Sequence, residues 1–311
     1  MLFGRCQQRR VERLRLSIVV NRDFSHSIHQ STRVLPVTDT RPFFRPLCRD
    51  IVTTLRTLEP EDWLRPTLAG SWRVRDVAAH LLDTALRRLS AQRDRWWGSR
   101  GGGPIAVADL VALINDLNAT WIRSADRLSP RVLSDLYEQA GAELSDLFEA
   151  LRLDDPATLP VSWAGETESS AQWLDIGREF TEIWHHGSQI REAVGAGPFR
   201  DARWLRAVLE IAMHALPHAY RQVNGPPDLS IVLEITGPAA GTWTLTRRAG
   251  GGWDIAEGTR PSPAMKATMT GEVAWRLLFN ALTPAEAQRL VQIQGDSVLA
   301  SPLWSTRSVI V

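Results

Sequence analysis

The chain has 311 residues, 44% of them apolar and 23% charged, with 36 basic side chains against 35 acidic ones. That length holds one large domain or two smaller ones around a sizeable core, and the composition is that of an ordinary globular protein. A net charge of +1 argues against nucleic acid or an anionic membrane surface as a necessary partner, and no run approaches the roughly 20 apolar residues that a bilayer demands.

Cys6 and Cys48 are the only cysteines. Two isolated thiols make neither a disulfide framework nor a thiolate zinc site, and they fit a reducing, cytoplasmic setting. Lys266 is the only lysine, so the positive charge is arginine nearly throughout.

Residues 1–35 are basic at Arg5, Arg9, Arg10, Arg13 and Arg15, and their apolar stretch at 16–20 is too short for a signal-peptide core. A poorly ordered extension is expected there, with His26 and His29 binding nothing. From 38 onward Phe43, Phe44, Leu47, Ile51, Leu55 and Leu58 recur at spacings of three and four, the stripe of an amphipathic helix. Ser71 reads as the N-cap of a second helix reaching about 97, with Trp72, Val74, Val77, Leu81 and Leu82 on its apolar side. Gly101-Gly102-Gly103-Pro104 interrupts the chain.

A third helix is predicted over 107–128, with Leu110, Leu113, Ile114, Leu117 and Trp121 inward, and Ser129-Pro130 starts a fourth. Pro156, Pro160 and Gly165 make 154–170 a loop, of the kind that shapes a pocket. A helix bearing Glu182 and His186 follows, then another over 201–220. After Gly225-Pro226-Pro227 the period becomes two: Leu229, Ile231, Leu233 and Ile235 alternate with polar residues, and turns separate 242–248, 253–257 and 264–270. Such alternation predicts an antiparallel sheet, with helices at 271–282, 284–290 and 297–306. The expected fold class is α+β, a helical bundle over 36–225 followed by a smaller α+β domain over 226–311.

Glu182 and His186 stand four residues apart, so on a helix they share one face and can hold two positions of one metal ion. The same spacing is common on solvated helix faces, and a third ligand from a partner helix is what distinguishes the two cases. His80 is the candidate, because a catalytic zinc takes three protein ligands and keeps an open position. Asp83 is a candidate acceptor for a ligand imidazole. Glu179 lies on nearly the same face as Glu182, whereas His185 points about 100° away from His186 and suits a supporting role. His214 and His218 form a rival pair with Pro217 between them and no third acidic partner nearby. Arg178 and Arg191 could attract a carboxylate-bearing substrate.

The segment Trp72-Arg73-Val74-Arg75-Asp76-Val77-Ala78-Ala79-His80-Leu81, taken with Glu182-Ile183-Trp184-His185-His186-Gly187, resembles the mycothiol-dependent maleylpyruvate isomerase family. The resemblance runs from about 38 to the end. It implies a DinB-like four-helix metal-binding bundle with His80, Glu182 and His186 as ligands. The run Ala274-Trp275-Arg276-Leu277-Leu278-Phe279, with Val291-Gln292-Ile293-Gln294-Gly295-Asp296, is similar to the sterol-carrier-like domain that follows such bundles. Gln189 stands where many relatives carry Asp, so a polar contact beside the metal is altered here.

Some relatives use an arginine of the C-terminal domain, and Arg276 is the candidate. The implied cofactors are a divalent cation, zinc first, and mycothiol or another low-molecular-weight thiol. The implied activity is isomerisation of, or thiol transfer to, a small electrophile, with no catalytic nucleophile or base identified besides the ligands. The competing expectation is a non-catalytic metal-binding bundle whose C-terminal domain holds a lipid-like or protein partner.

Overall fold

The computed structural model describes residues 33–98, 107–159 and 170–308. Cys6, His26, His29, the Gly101 to Pro104 break and most of the 154–170 loop therefore lie outside the described residues.

Five long helices come first: α1 (Arg41–Arg56), α2 (Val74–Arg88), α3 (Val107–Ala125), α4 (Pro130–Ala150) and α5 (Gln172–Ala193). Four of them close a ring, α1 against α4, α4 against α2, α2 against α5 and α5 against α1, while α3 lies outside on α2. The predicted stripe of α1 supplies Phe44, Leu47, Ile51 and Leu55 to the centre, where they meet Val77 and Leu81 of α2, Leu144 and Phe148 of α4, and Phe180 and Trp184 of α5. Phe44 packs on Phe148 at 4.7 Å and on Phe180 at 5.7 Å between ring centroids. The Trp121 indole of α3 donates to the Ala79 carbonyl at 2.8 Å, pinning α3 beside the turn that carries His80.

Ser71 is not the cap of α2. The cap residue is Arg73, whose backbone N–H donates to the Asp76 carboxylate at 2.9 Å. The chain before it is closed on itself, Val74 N–H to Arg65 C=O at 3.0 Å and Thr67 N–H to Trp72 C=O at 3.0 Å, and Gly70 turns at φ +60°. Helix α2 ends in a π-helical turn over Leu89–Arg93.

Helices α6 (Ala202–Met213) and α7 (Leu216–Ala219) lead to a mixed sheet with α8 (Gly271–Leu278), α9 (Pro284–Leu290) and α10 (Ser301–Ser305). Its strands are β1 (Arg33–Val34), β2 (Ser230–Thr236), β3 (Gly241–Arg247), β4 (Trp253–Glu257), β5 (Met265–Thr270) and β6 (Gln292–Gly295), in the order β1-β4-β3-β2-β5-β6. Two expectations are corrected. The sheet is not wholly antiparallel, because β5 returns to the free edge of β2 and pairs with it in parallel, Ile231 opposite Met265. Residues 33–34 are not part of a loose extension but form the edge strand β1, Arg33 opposite Glu257 and Val34 opposite Ala256. A bare edge of β4 would otherwise expose unpaired backbone groups.

One apolar cluster runs through both halves. Trp184 of α5 meets Trp275 of α8 edge-on at 5.3 Å, and the Tyr220 hydroxyl donates to the Leu299 carbonyl at 2.9 Å.

Candidate metal centre

Helices α2 and α5 cross so that His80 faces Glu182 and His186. Glu182 Oε1 stands 3.5 Å from His80 Nε2 and 3.2 Å from His186 Nε2. One ligand atom from each residue lies within 4.8 Å of the other two, and among the described residues this is the only group of three or more His, Cys, Asp or Glu so placed. Two ligands each about 2.0–2.1 Å from a tetrahedral zinc stand about 3.3 Å apart, so the two shortest separations are those a shared ion imposes.

Both His80 nitrogens are buried and accept or donate no hydrogen bond. Buried polar atoms without partners are rare, and a bound ion is one of the few ways to account for them. The donor set and the orphaned imidazole together fit a divalent cation.

Charge behaves accordingly. Burial pushes the Glu182 carboxyl upward, but the flanking rings of His186 and His80 outweigh it and hold the group well below its ordinary value. Burial lowers His80 below its usual value despite the attraction of Glu182. For His186 burial acts in the same direction, yet Glu182 and Gln189 raise it on balance. An ionised carboxylate thus sits between two imidazoles.

Of the four expected supporting residues, Gln189 and His185 are hydrogen-bonded beside His186, while Asp83 and Glu179 pair with arginines. Gln189 Oε1 accepts from His186 Nδ1 at 2.8 Å, so Nε2 is the nitrogen that faces Glu182, 3.2 Å from its Oε1. The Gln189 amide nitrogen stands 3.0 Å from His185 Nε2 and donates to it. His185 is held away from the trio, between Trp275 and Phe279 at 5.5 and 5.2 Å, and burial keeps it neutral with its value near 3.

Asp83 does not support His80: its carboxylate lies 3.0 Å from Arg87 Nε, one helical turn further along α2. Glu179 faces Arg88, which donates to it at 2.9 Å, and not the trio. Arg276 stacks over Trp275 at 4.8 Å and pairs with Glu192 and Glu272. Arg191 donates to the Gly197 carbonyl at 3.0 Å and lies over Phe199, while Arg178 stands 3.7 Å from both Asp175 and Glu179.

Among the described residues the rival histidines belong to no group of three metal-binding side chains. His214 packs against Trp173 at 5.1 Å, and His218 lies on α7. Cys48 is buried, with its thiol pushed up by burial to about 11, so it is no nucleophile near neutral pH.

Trp72 is the residue that sequence reading assigned to the core without a functional role. Its ring centroid lies 5.0 Å from that of His80 and 6.2 Å from that of His186, an aromatic wall over both. Its position immediately before α2, on a closed turn, was the available signal. A cleft of about 490 Å³ lined by Asp50, Thr54, Asp62 and Arg191 lies elsewhere, and none of the three candidate ligands borders it.

With this geometry in place, comparison with known proteins is informative. Residues 44–191, which carry His80, Glu182 and His186, match the family model described as the mycothiol maleylpyruvate isomerase N-terminal domain. The bundle is similar to that domain. Two solved structures are similar over 84% of this chain and 93% of theirs. One is the mycothiol-dependent maleylpyruvate isomerase, 14% identical with a TM-score of 0.50. The other is a histidine-to-alanine mutant of that enzyme, 13% identical with a TM-score of 0.49. At such identity the likeness of the first shows the shared fold, bundle and sheet together. No curated protein matches the chain. Among the described residues no helix is long and apolar enough to cross a membrane.

Proposed function

We propose that the chain is a metal- and thiol-dependent enzyme acting on a small electrophile, with isomerisation of a maleylpyruvate-like cis double bond or transfer of the thiol sulfur as its reaction. The observation that carries the reading is the convergence of His80 from α2 with Glu182 and His186 from α5, its buried imidazole otherwise unpartnered. A divalent cation held there, zinc by the match of two imidazoles and one carboxylate, would supply a Lewis acid that lowers the pKa of a thiol or water.

The chain's own residues do the rest. His80, Glu182 and His186 hold the ion, and Gln189 fixes the His186 tautomer through its Nδ1–H. Trp72 walls one side against solvent. In the isomerase reading the thiolate adds to the double bond, the resulting single bond rotates, and expulsion of the same thiolate restores the alkene and the thiolate. No further acid or base in the trio's surroundings is required for that sequence. Mycothiol is the proposed thiol because the matching domain family is named for it. The alternative of a lipid-holding second domain gains no support, since Trp243, Leu245, Met265, Ala267 and Leu277 fill the space beside the sheet with no exposure.

Metal analysis of purified protein tests the reading. One equivalent of zinc is expected in the native chain, lost in His80→Ala and in His186→Ala while the far-ultraviolet circular dichroism is kept by the apolar stripes. Zinc retained at one equivalent in both variants sinks it. Assays with maleylpyruvate and with chloro-aromatic electrophiles, with and without mycothiol, then separate isomerase from S-transferase.

A further inference from the structure

The face of α5 that bears Glu182 and His186 begins two turns earlier. Asp175, Glu179, Glu182 and His186 are spaced by four, three and four, one continuous stripe. Helix α2 crosses this stripe in the opposite direction, His80 meeting one end and Arg88 the other. Arg88 is 3% exposed, Asp175 0% and Glu179 3%. The Arg88 guanidinium donates through Nη1 and Nη2 to the two Asp175 oxygens at 2.7 and 2.9 Å, and through Nε to Glu179 Oε2 at 2.9 Å. Such a planar fork fixes both distance and angle between the helices that it joins.

The charges along the stripe do not cancel evenly. Asp175 and Glu179 have Arg88 between them and the Arg178 guanidinium 3.7 Å from each. Glu182 has only imidazoles. Glu179 Oε1 is buried with no hydrogen-bond partner, one turn of α5 away from Glu182. Released from Arg88, that carboxylate would be a second acidic ligand beside the first.

We propose that Arg88 is the positioning residue of the metal centre. It sets the register of α2 against α5, about 12 Å along the helix from His80, and it occupies Asp175 and Glu179 so that the ion meets a single carboxylate. This rests on His80, Glu182 and His186 being the ligands. Arg88 touches neither ion nor substrate.

The test is Arg88→Lys, which keeps the charge and loses the fork. Zinc affinity is measured by chelator competition, the visible spectrum of the cobalt-loaded protein is recorded, and the urea midpoint is followed alongside. Arg88→Lys is expected to weaken zinc binding by about 10- to 100-fold and to shift the cobalt bands, because the ligand geometry changes. Unchanged zinc affinity with an unchanged cobalt spectrum overturns the proposal, whatever happens to the urea midpoint, and leaves Arg88 a purely structural pair. If Arg88→Lys does not fold, Asp175→Asn decides: weaker zinc binding with shifted cobalt bands supports the proposal, and native values of both overturn it. A native protein that binds no zinc instead removes the metal reading itself, which is a different result.

Discussion

Gln189 bridges two histidines with one amide, accepting from His186 at 2.8 Å and donating to His185 at 3.0 Å. Its oxygen fixes which His186 nitrogen faces the ion, and its nitrogen anchors a neutral ring. An amide oxygen draws on the imidazole proton less strongly than a carboxylate would, so this chain's His186 is the less basic ligand of the two arrangements. Gln189→Ala removes the acceptor without touching a ligand. Zinc affinity in that variant, measured by chelator competition, is expected to fall by about 10- to 100-fold, and native affinity would show that the bridge does not orient the ring.

The candidate ligands were legible from spacing and from the family resemblance, as were Gln189 and His185 beside them, but the partners of Asp83 and Glu179 were not. Asp83 and Glu179 share helix faces with His80 and Glu182, and periodicity places them no further than that. Which neighbour each carboxylate meets depends on the crossing of α2 over α5, and Arg87 and Arg88 claimed them.

At the scale of elements, the close approach of α1 and α5 depends on Gly187, the residue after His186. A Cβ there would stand 2.7 Å from Phe199 Cε2 and 2.9 Å from two Ile51 side-chain carbons. Gly187→Ala therefore drives α5 outward or forces both side chains off their rotamers. It is expected to cost about 1–3 kcal/mol, read from the urea midpoint, and an unshifted midpoint would mean that the contact relaxes freely.

The long helices were legible because three- and four-residue spacing reports a buried stripe directly. What escaped were features with too few residues to carry a period. Strand β1 has two residues and β6 four, and each is fixed by a partner edge far away in sequence. The direction of β5 was also hidden, since alternation is the same in a parallel and an antiparallel strand. Ser71 has the chemistry of a cap, but the closed turn from Arg65 to Val74 starts α2 later, at Arg73.

At the scale of the whole molecule, the two halves share one core, and α6 lies at their junction. Residue His214, at the end of α6, packs on Trp173 of α5. Burial lowers its value from 6.5 to about 4, so the ring is neutral in the fold and takes a proton more readily when the chain unfolds. Its contribution is fully present above pH 6.5 and is lost as the pH falls toward 4, a destabilisation on the order of 1–3 kcal/mol. His214→Gln should flatten the stability curve over that window, measured as urea midpoints from pH 7 to pH 4. A curve as steep as that of the native chain would assign the acid sensitivity to other groups.

Strand β1 has a consequence for how the molecule is made. It stands ahead of the whole bundle in sequence, yet its hydrogen-bonding partner β4 lies more than 200 residues downstream. During synthesis at about 5–20 residues per second, the partner edge leaves the ribosome some 10 to 40 s after β1 does. The helices that carry His80, Glu182 and His186 all emerge in that interval, so the ion-holding half can assemble while the earliest strand still waits for its place. The first described segment to be born must wait for β4, and it then closes the open edge of that strand.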